Sequence, residues 1–339
     1  MKHQPSLTFF ESFLKSRTQC VFTNGSFSTG QVLKYGVPQG SILGPLLFCI
    51  FINDLPLCLS EPNVSCDLFA DDTSLHCNAS TLTKVQHCLQ ISLNDVSKWC
   101  QDNFMLLHPG KTKSMIITTR QKHQVNRSAL KLSLNNTIIE QVREHKVLGV
   151  IIDEDLKWQS QINALTSKFS RSLFLLNKLK PYIDTDAKKI FFHAHCLCHI
   201  NYASVIWDGA ASRHFKRLQS LFKRAVKIIL PDPLLSQYEK HSQLNILPLQ
   251  KHLNVNKCLF LYKIQNALAP DYLSHFLIPS SNRYASKNYI LPRTRIDLYK
   301  SSIAFSGASL WNTLPSDIKT CSSFKGLRLA LYEHFMLQE

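Results

Sequence analysis

A chain of 339 residues has the length for two cores, because single domains cluster at about 100 to 200 residues. Hydrophobic residues at 45% exclude a disordered chain, and 39 Lys plus Arg against 23 Asp plus Glu give +16, a field that draws polyanions and repels basic partners. The longest apolar run, Ile42 to Ile52, is cut by Gly44 and Pro45 and falls short of the ~18 residues a membrane span needs.

The polar start, Met1-Lys2-His3-Gln4-Pro5, offers no secretory leader, so the expected location is nuclear or cytoplasmic. Eleven cysteines lie scattered without a CxxC pair, which fits reduced thiols in such a compartment.

Apolar positions at helical spacing predict a first helix over 7–15. Two β-prone runs, 19–23 and 30–35, flank Asn24-Gly25 and predict a hairpin. After the loop Gly36 to Gly40, Ser41 reads as the cap of a helix running to Phe51, apolar on every side and therefore expected to be buried. Runs 64–70 and 73–77 meet at Asp71-Asp72 as a second hairpin, and 82–103 repeats apolar residues as an amphipathic helix does. Short strands are expected at 115–119, around 132–139 and at 147–152. Long helices follow at 162–180, 185–206 and 213–230. A boundary is expected near residue 158, and 279–287 reads as a mobile loop.

Adjacent aspartates at a hairpin tip repel one another unless a cation lies between them, so an apolar strand ending in Asp71-Asp72 is a candidate divalent-metal site. Alone it is also an ordinary turn. Its neighbours decide the matter. Gly36-Val37-Pro38-Gln39-Gly40-Ser41 with Leu43-Gly44-Pro45-Leu46-Leu47-Phe48, then Asn53-Asp54-Leu55-Pro56, then Phe69-Ala70-Asp71-Asp72-Thr73, closely resembles the reverse transcriptases of non-LTR (LINE-type) retrotransposons, block for block. Asn103-Phe104-Met105-Leu106-Leu107 with Lys111-Thr112-Lys113 is similar to the family's fourth palm block, and 147–158 to its primer-grip hairpin. The segment from Phe305 to Pro315 resembles the family's last segment more loosely.

The resemblance implies an α+β fold: a partial polymerase palm over 1–158, with an antiparallel sheet and helices, then a helical thumb-like domain over 159–230 and a C-terminal region over 231–339. It implies RNA-directed DNA polymerase chemistry on an RNA template, a DNA primer and deoxynucleoside triphosphates. Asp71 and Asp72 would hold two Mg2+ ions, as two-metal nucleotidyl transfer requires. Gly36, Pro38, Gln39 and Gly40 would pass along the templating base and nucleotide. Lys111 would face the triphosphate, against the plainer reading of a solvated lysine, and the family usually has Asn where His108 stands. Leu148 and Gly149 would form the primer grip.

In the family the third carboxylate lies upstream of the glycine loop. Residues 1–53 contain no Asp, and Glu11 is their one acid. The chain by itself is therefore expected to be inactive or nearly so. The alternative is a non-enzymatic nucleic-acid-binding remnant of a mobile element. Arg213, Arg217, Arg224 and Lys227 form a stripe that would track a phosphate backbone, against the plainer reading of a solvated helix face. His193, His195, Cys196, Cys198 and His199 crowd together at spacings poor for zinc, and helix packing is the favoured reading.

Overall fold

The computed structural model describes residues 4–118, 130–280, 287–294 and 296–338. They divide into two compact units, 1–143 and 144–339, each treated by itself. The division falls before the expected boundary near 158, because the hairpin of 144–153 packs with the helix that follows it. Most of the expected loop at 279–287 lies outside the described residues.

The first unit opens with α1 (Gln4–Leu14). Strand β1 (Thr18–Gln19) pairs with β4 (Gln31–Val32), enclosing a tighter hairpin of β2 (Phe22–Thr23) and β3 (Ser26–Phe27). Asn24 and Gly25 both have positive φ, at 48° and 79°, which is the turn chemistry expected there. Helix α2 (Gly44–Ile52) starts three residues after Ser41; the Ser41 hydroxyl accepts from the Gly44 amide at 3.0 Å and donates to the Pro38 carbonyl at 2.8 Å.

The expectation that α2 is buried fails. Leu46, Ile50 and Phe51 are 59%, 66% and 44% exposed, and only Gly44 and Ile52 are buried. Within this unit α2 has apolar neighbours along one side alone.

Strands β5 (Val64–Phe69) and β6 (Asp72–Cys77) form the expected second hairpin. It precedes α3 (Leu82–Asp102), whose N-terminus is capped by Thr81. Strand β7 (Lys113–Ser114) lies just before the strand expected at 115–119. It pairs in parallel with β10 (Glu140–Gln141), and β8 (Ser133–Leu134) with β9 (Thr137–Ile138) makes a further hairpin. The described strands form two-stranded pairs, antiparallel apart from β7 with β10, and with the helices they make the expected α+β mix.

The second unit begins with the hairpin β11 (Glu144–Val147) and β12 (Val150–Asp153). Helix α4 (Gln159–Leu179) follows, then α5 (Thr185–Phe191), a π-helical turn (Phe192–Leu197) and α6 (Cys198–Asn201). The long helix expected over 185–206 breaks at Ala203, whose φ is 50°, and resumes as α7 (Ser204–Trp207). Next come α8 (Ser212–Ile229), α9 (Gln237–Leu244) and α10 (Leu249–Gln265). After β13 (Ile278–Pro279) and β14 (Tyr289–Ile290) come short helices, another π-helical turn at Ile303–Gly307, and the helix Phe324–Leu337.

One core of this unit joins Trp158, Phe169, Phe192, Trp207 and Phe222; a second joins Cys258, Leu261, Trp311, Leu327 and Leu331. The fold is therefore a mix of helices and strand pairs, with helix dominating the second unit.

Candidate active site and nucleic-acid face

Asp72 opens β6 and pairs with Phe69, leaving Ala70-Asp71 as a two-residue turn. Ala70 takes a φ of 50°, a left-handed conformation that costs about 1 kcal/mol for a residue with a side chain. Both carboxylates are exposed at the tip, and neither forms a hydrogen bond or ion pair among the described residues. The inner side of the hairpin is apolar: Cys66, Leu68 and Leu75 share a core with Phe48 and Ile52 of α2, Val96 and Cys100 of α3, and Met105 and Leu107. That core gathers the Asp-Asp hairpin, the helix behind the glycine loop and the 103–107 block into one body.

The loop itself turns at Gly36 and Gly40, with φ of 85° and 77°, where a Cβ would strain the backbone. Pro38, half-buried, and Gln39, exposed, lie between them. Arg17 donates to the Gly36 carbonyl, and the Tyr35 ring stacks on Phe104 at 4.7 Å, which ties the loop to the fourth block. Lys111 is exposed in the turn after Pro109, its amide donating to the His108 carbonyl at 3.0 Å; among the described residues its side chain has no partner.

Mg2+ prefers oxygen donors and keeps several waters, so two adjacent carboxylates suit it. A clamp for two ions needs more. Among the described residues no three His, Cys, Asp or Glu side chains group as metal ligands. The donors thus fit one loosely held Mg2+ and fall short of a two-ion site. In the His/Cys stretch of 193–199, Cys196 is buried in the core, where burial pushes its thiol up to about 12.

In the second unit Leu148 and Gly149 form the β11–β12 turn with φ of 46° and 85°. Sequence reasoning missed what braces it. The Tyr202 hydroxyl donates to the Leu148 carbonyl at 2.5 Å, and a Cβ on Gly149 would stand 3.4 Å from the Tyr202 ring. Buried Gln161 accepts from the Ile151 amide at 2.9 Å, and the Asp153 carboxylate accepts from the amides of Asp155, Lys157 and Trp158. Those bonds seat the hairpin on the start of α4. Tyr202→Phe is expected to lower stability by about 1 kcal/mol, the usual worth of a single hydrogen bond, read as the shift in denaturant midpoint. No shift would leave the brace without energetic weight.

Arg213, Arg217, Arg224 and Lys227 are all exposed on α8, joined by Lys216 and Lys223, while Phe215, Leu218, Phe222 and Ile229 are buried on its other side. The helix contains no acid, and none of these cations forms an ion pair among the described residues. From residue 144 onward the sequence holds 26 Lys plus Arg against 14 Asp plus Glu, a net +12 of the total +16. Among the described residues no helix is long and apolar enough to cross a membrane.

Residues 2–152 match the family model described as reverse transcriptase (RNA-dependent DNA polymerase). A probable RNA-directed DNA polymerase from transposon BS of Drosophila melanogaster is 29% identical over 239 residues, covering 68% of this chain and 26% of that protein. The RNA-directed DNA polymerase from mobile element jockey of Drosophila funebris is 25% identical over 66% of this chain and 25% of its own length. A retrovirus-related Pol polyprotein from type-1 retrotransposable element R1 2 of Nasonia vitripennis is 23% identical over 51% of this chain and 43% of its own. The chain thus spans about a quarter of the length of the first two. No solved structure matches it. Residues 2–152 thus match the reverse transcriptase family, with relatives among the polymerases of non-LTR, LINE-type elements.

Proposed function

We propose that the chain is the palm and thumb portion of an RNA-directed DNA polymerase, incomplete as a catalyst when taken by itself. The observation that supports this best is the shared core beneath the Asp71-Asp72 turn, α2 and the 103–107 block, inside the segment that matches the reverse transcriptase family. In this reading Asp71 and Asp72 bind Mg2+, whose chemistry is to activate the primer 3′ hydroxyl and steady the leaving pyrophosphate. Gly36, Pro38, Gln39 and Gly40 line the templating base and nucleotide, where the absence of a Cβ at the glycines admits the backbone. Lys111 neutralises charge on the triphosphate. Leu148 and Gly149 support the primer end, and the α8 stripe follows the backbone of template or primer.

Incompleteness follows from the donor count. Residues 1–53 supply no Asp, and one exposed carboxylate pair holds an ion from one side only. Losing a ligand of this kind costs about a thousandfold or more in rate. Primer extension on a poly(rA) template with a DNA primer, deoxynucleotide and Mg2+ is therefore expected to give no more than trace product. Robust Mg2+-dependent synthesis by this chain alone would overturn the proposal of incompleteness.

The concentration of charge in the second unit favours a second reading, a nucleic-acid-binding remnant without catalysis. It predicts RNA affinity that falls steeply with salt and no extension even when a polypeptide bearing the missing strand is added.

A further inference from the structure

Beside the α8 stripe, the second unit carries another uncompensated cationic cluster. Helix α4 packs along the π-helical turn and α6, with Phe169 meeting Phe192 edge to face at 6.3 Å and Leu173, Cys196 and Ile200 buried in the same core. Lys168 and Arg171, one turn apart on α4, are exposed beside this seam. His195 and His199, one turn apart on the facing helix, flank the buried Cys196 and Ile200; His195 is exposed and His199 half-buried. There is no acid between Gln159 and Leu179, nor between Ala187 and Trp207. Among the described residues neither Lys168 nor Arg171 forms an ion pair.

We infer that Lys168, Arg171, His195 and His199 form a second contact for the phosphate backbone of nucleic acid, one whose strength is linked to proton uptake. The inference rests on the nucleic-acid reading of the chain and goes beyond the α8 stripe. Two fixed cations supply the pH-independent attraction. Burial, with the fields of Lys168, Arg171 and His195, holds the His199 imidazole below its ordinary pKa, so the free protein keeps it neutral near pH 7. Those three are the charged or titratable groups whose fields reach it, from α4 and from its own helix. A phosphate laid across the seam reverses the local field and raises that pKa, so binding takes up a proton and tightens as pH falls. On α8, by contrast, the stripe is Arg and Lys, which stay charged throughout this range.

The test is fluorescence anisotropy of the full chain with a labelled single-stranded RNA of about 20 nucleotides, over a salt series at about pH 7.5 and about pH 6. Removing two phosphate contacts in the K168A/R171A double variant is expected to reduce the log–log salt slope by about 1.4 and to weaken binding about 25-fold near 0.1 M salt. Wild type is expected to bind more tightly at the lower pH, and H195Q/H199Q to lose that gain. His214, beside Arg213 on α8, is likewise held below the ordinary imidazole value by burial and the field of Arg213, so the pH comparison is made in an H214Q background, where the gain supplied by His195 and His199 is expected to remain. An unchanged salt slope in K168A/R171A overturns the inference. So does a pH gain that survives in H195Q/H199Q, or a loss seen on phosphatidylserine vesicles in place of RNA. Absence of RNA affinity in the wild type would instead sink the underlying nucleic-acid reading.

Discussion

Alanine at Arg213, Arg217, Arg224 and Lys227 together is expected to weaken binding of single-stranded RNA several hundredfold near 0.1 M salt and to reduce the log–log salt slope by about 2.8. Each phosphate neutralised on a single strand releases about 0.7 of a counterion, which is worth a factor of about five in affinity at that ionic strength. Four contacts multiply. The geometry lets them act as a set: the fourteen steps from Arg213 to Lys227 rise about 21 Å along one exposed stripe, with no carboxylate on the helix to neutralise them. The same substitutions leave the fold alone, since Phe215, Leu218, Phe222, Ala225 and Ile229 on the opposite face supply the packing and none of the four cations is buried. A salt titration that gives the wild-type slope for the quadruple variant would return α8 to a merely solvated face.

Much of the local geometry was readable from residues because the signals were local. Asn24-Gly25 fixed one turn, and the Phe69-Asp72 pair closed another. The structure adds the faces of β5, with Cys66 and Leu68 inward and Asp67 outward, where His76 meets it at 3.1 Å. The stripe of α8 was legible for the same reason, since a helical period assigns faces without knowledge of partners.

What was not legible depended on contacts distant in sequence. An apolar α2 reads as buried whether or not its neighbours are present. The structure leaves Leu46 and Ile50 open because burial is a property of the assembled core and not of the helix. The brace from Tyr202 to the 148–149 turn spans 54 residues and rests on an Ala203 in the left-handed region, for which residue type gives no cue. Lys257 and Asp208 were equally silent, since nothing about a lysine on a helix or an aspartate before a glycine announces that both are buried.

That buried pair sets the largest stability effect expected here. The Lys257 ammonium lies 3.0 Å from Asp208 Oδ2, with the two side chains 8% and 2% exposed, in an ion pair whose alignment falls short of a full hydrogen bond. Lys257 also donates to the Ser306 hydroxyl at 3.2 Å, and a Cβ on Gly209 would stand 2.3 Å from the Ser301 carbonyl. The pair therefore lies where the loop after α7 presses against the 301–307 segment. Burial pushes the Asp208 carboxyl up to about 6, outweighing the pull of Lys257. A raised carboxylate means that the folded chain holds the proton more tightly than the unfolded one, so this group's contribution to stability grows as pH falls from about 6 toward the ordinary carboxylate value.

Lys257→Met leaves the carboxylate alone in the interior. Near pH 7.5, where the wild-type carboxylate is ionised and paired, the variant is expected to lose about 3 to 5 kcal/mol, the cost of stranding one partner of a buried pair. Near pH 5 the proton replaces the missing cation, and most of the loss should disappear. Adding Asp208→Asn to the methionine variant should recover most of it at the higher pH as well, because no charge then remains to be desolvated. Denaturant midpoints of the full chain at the two pH values decide the matter: an equal loss at both would mean that Lys257 acts through packing of its stem and not through its charge.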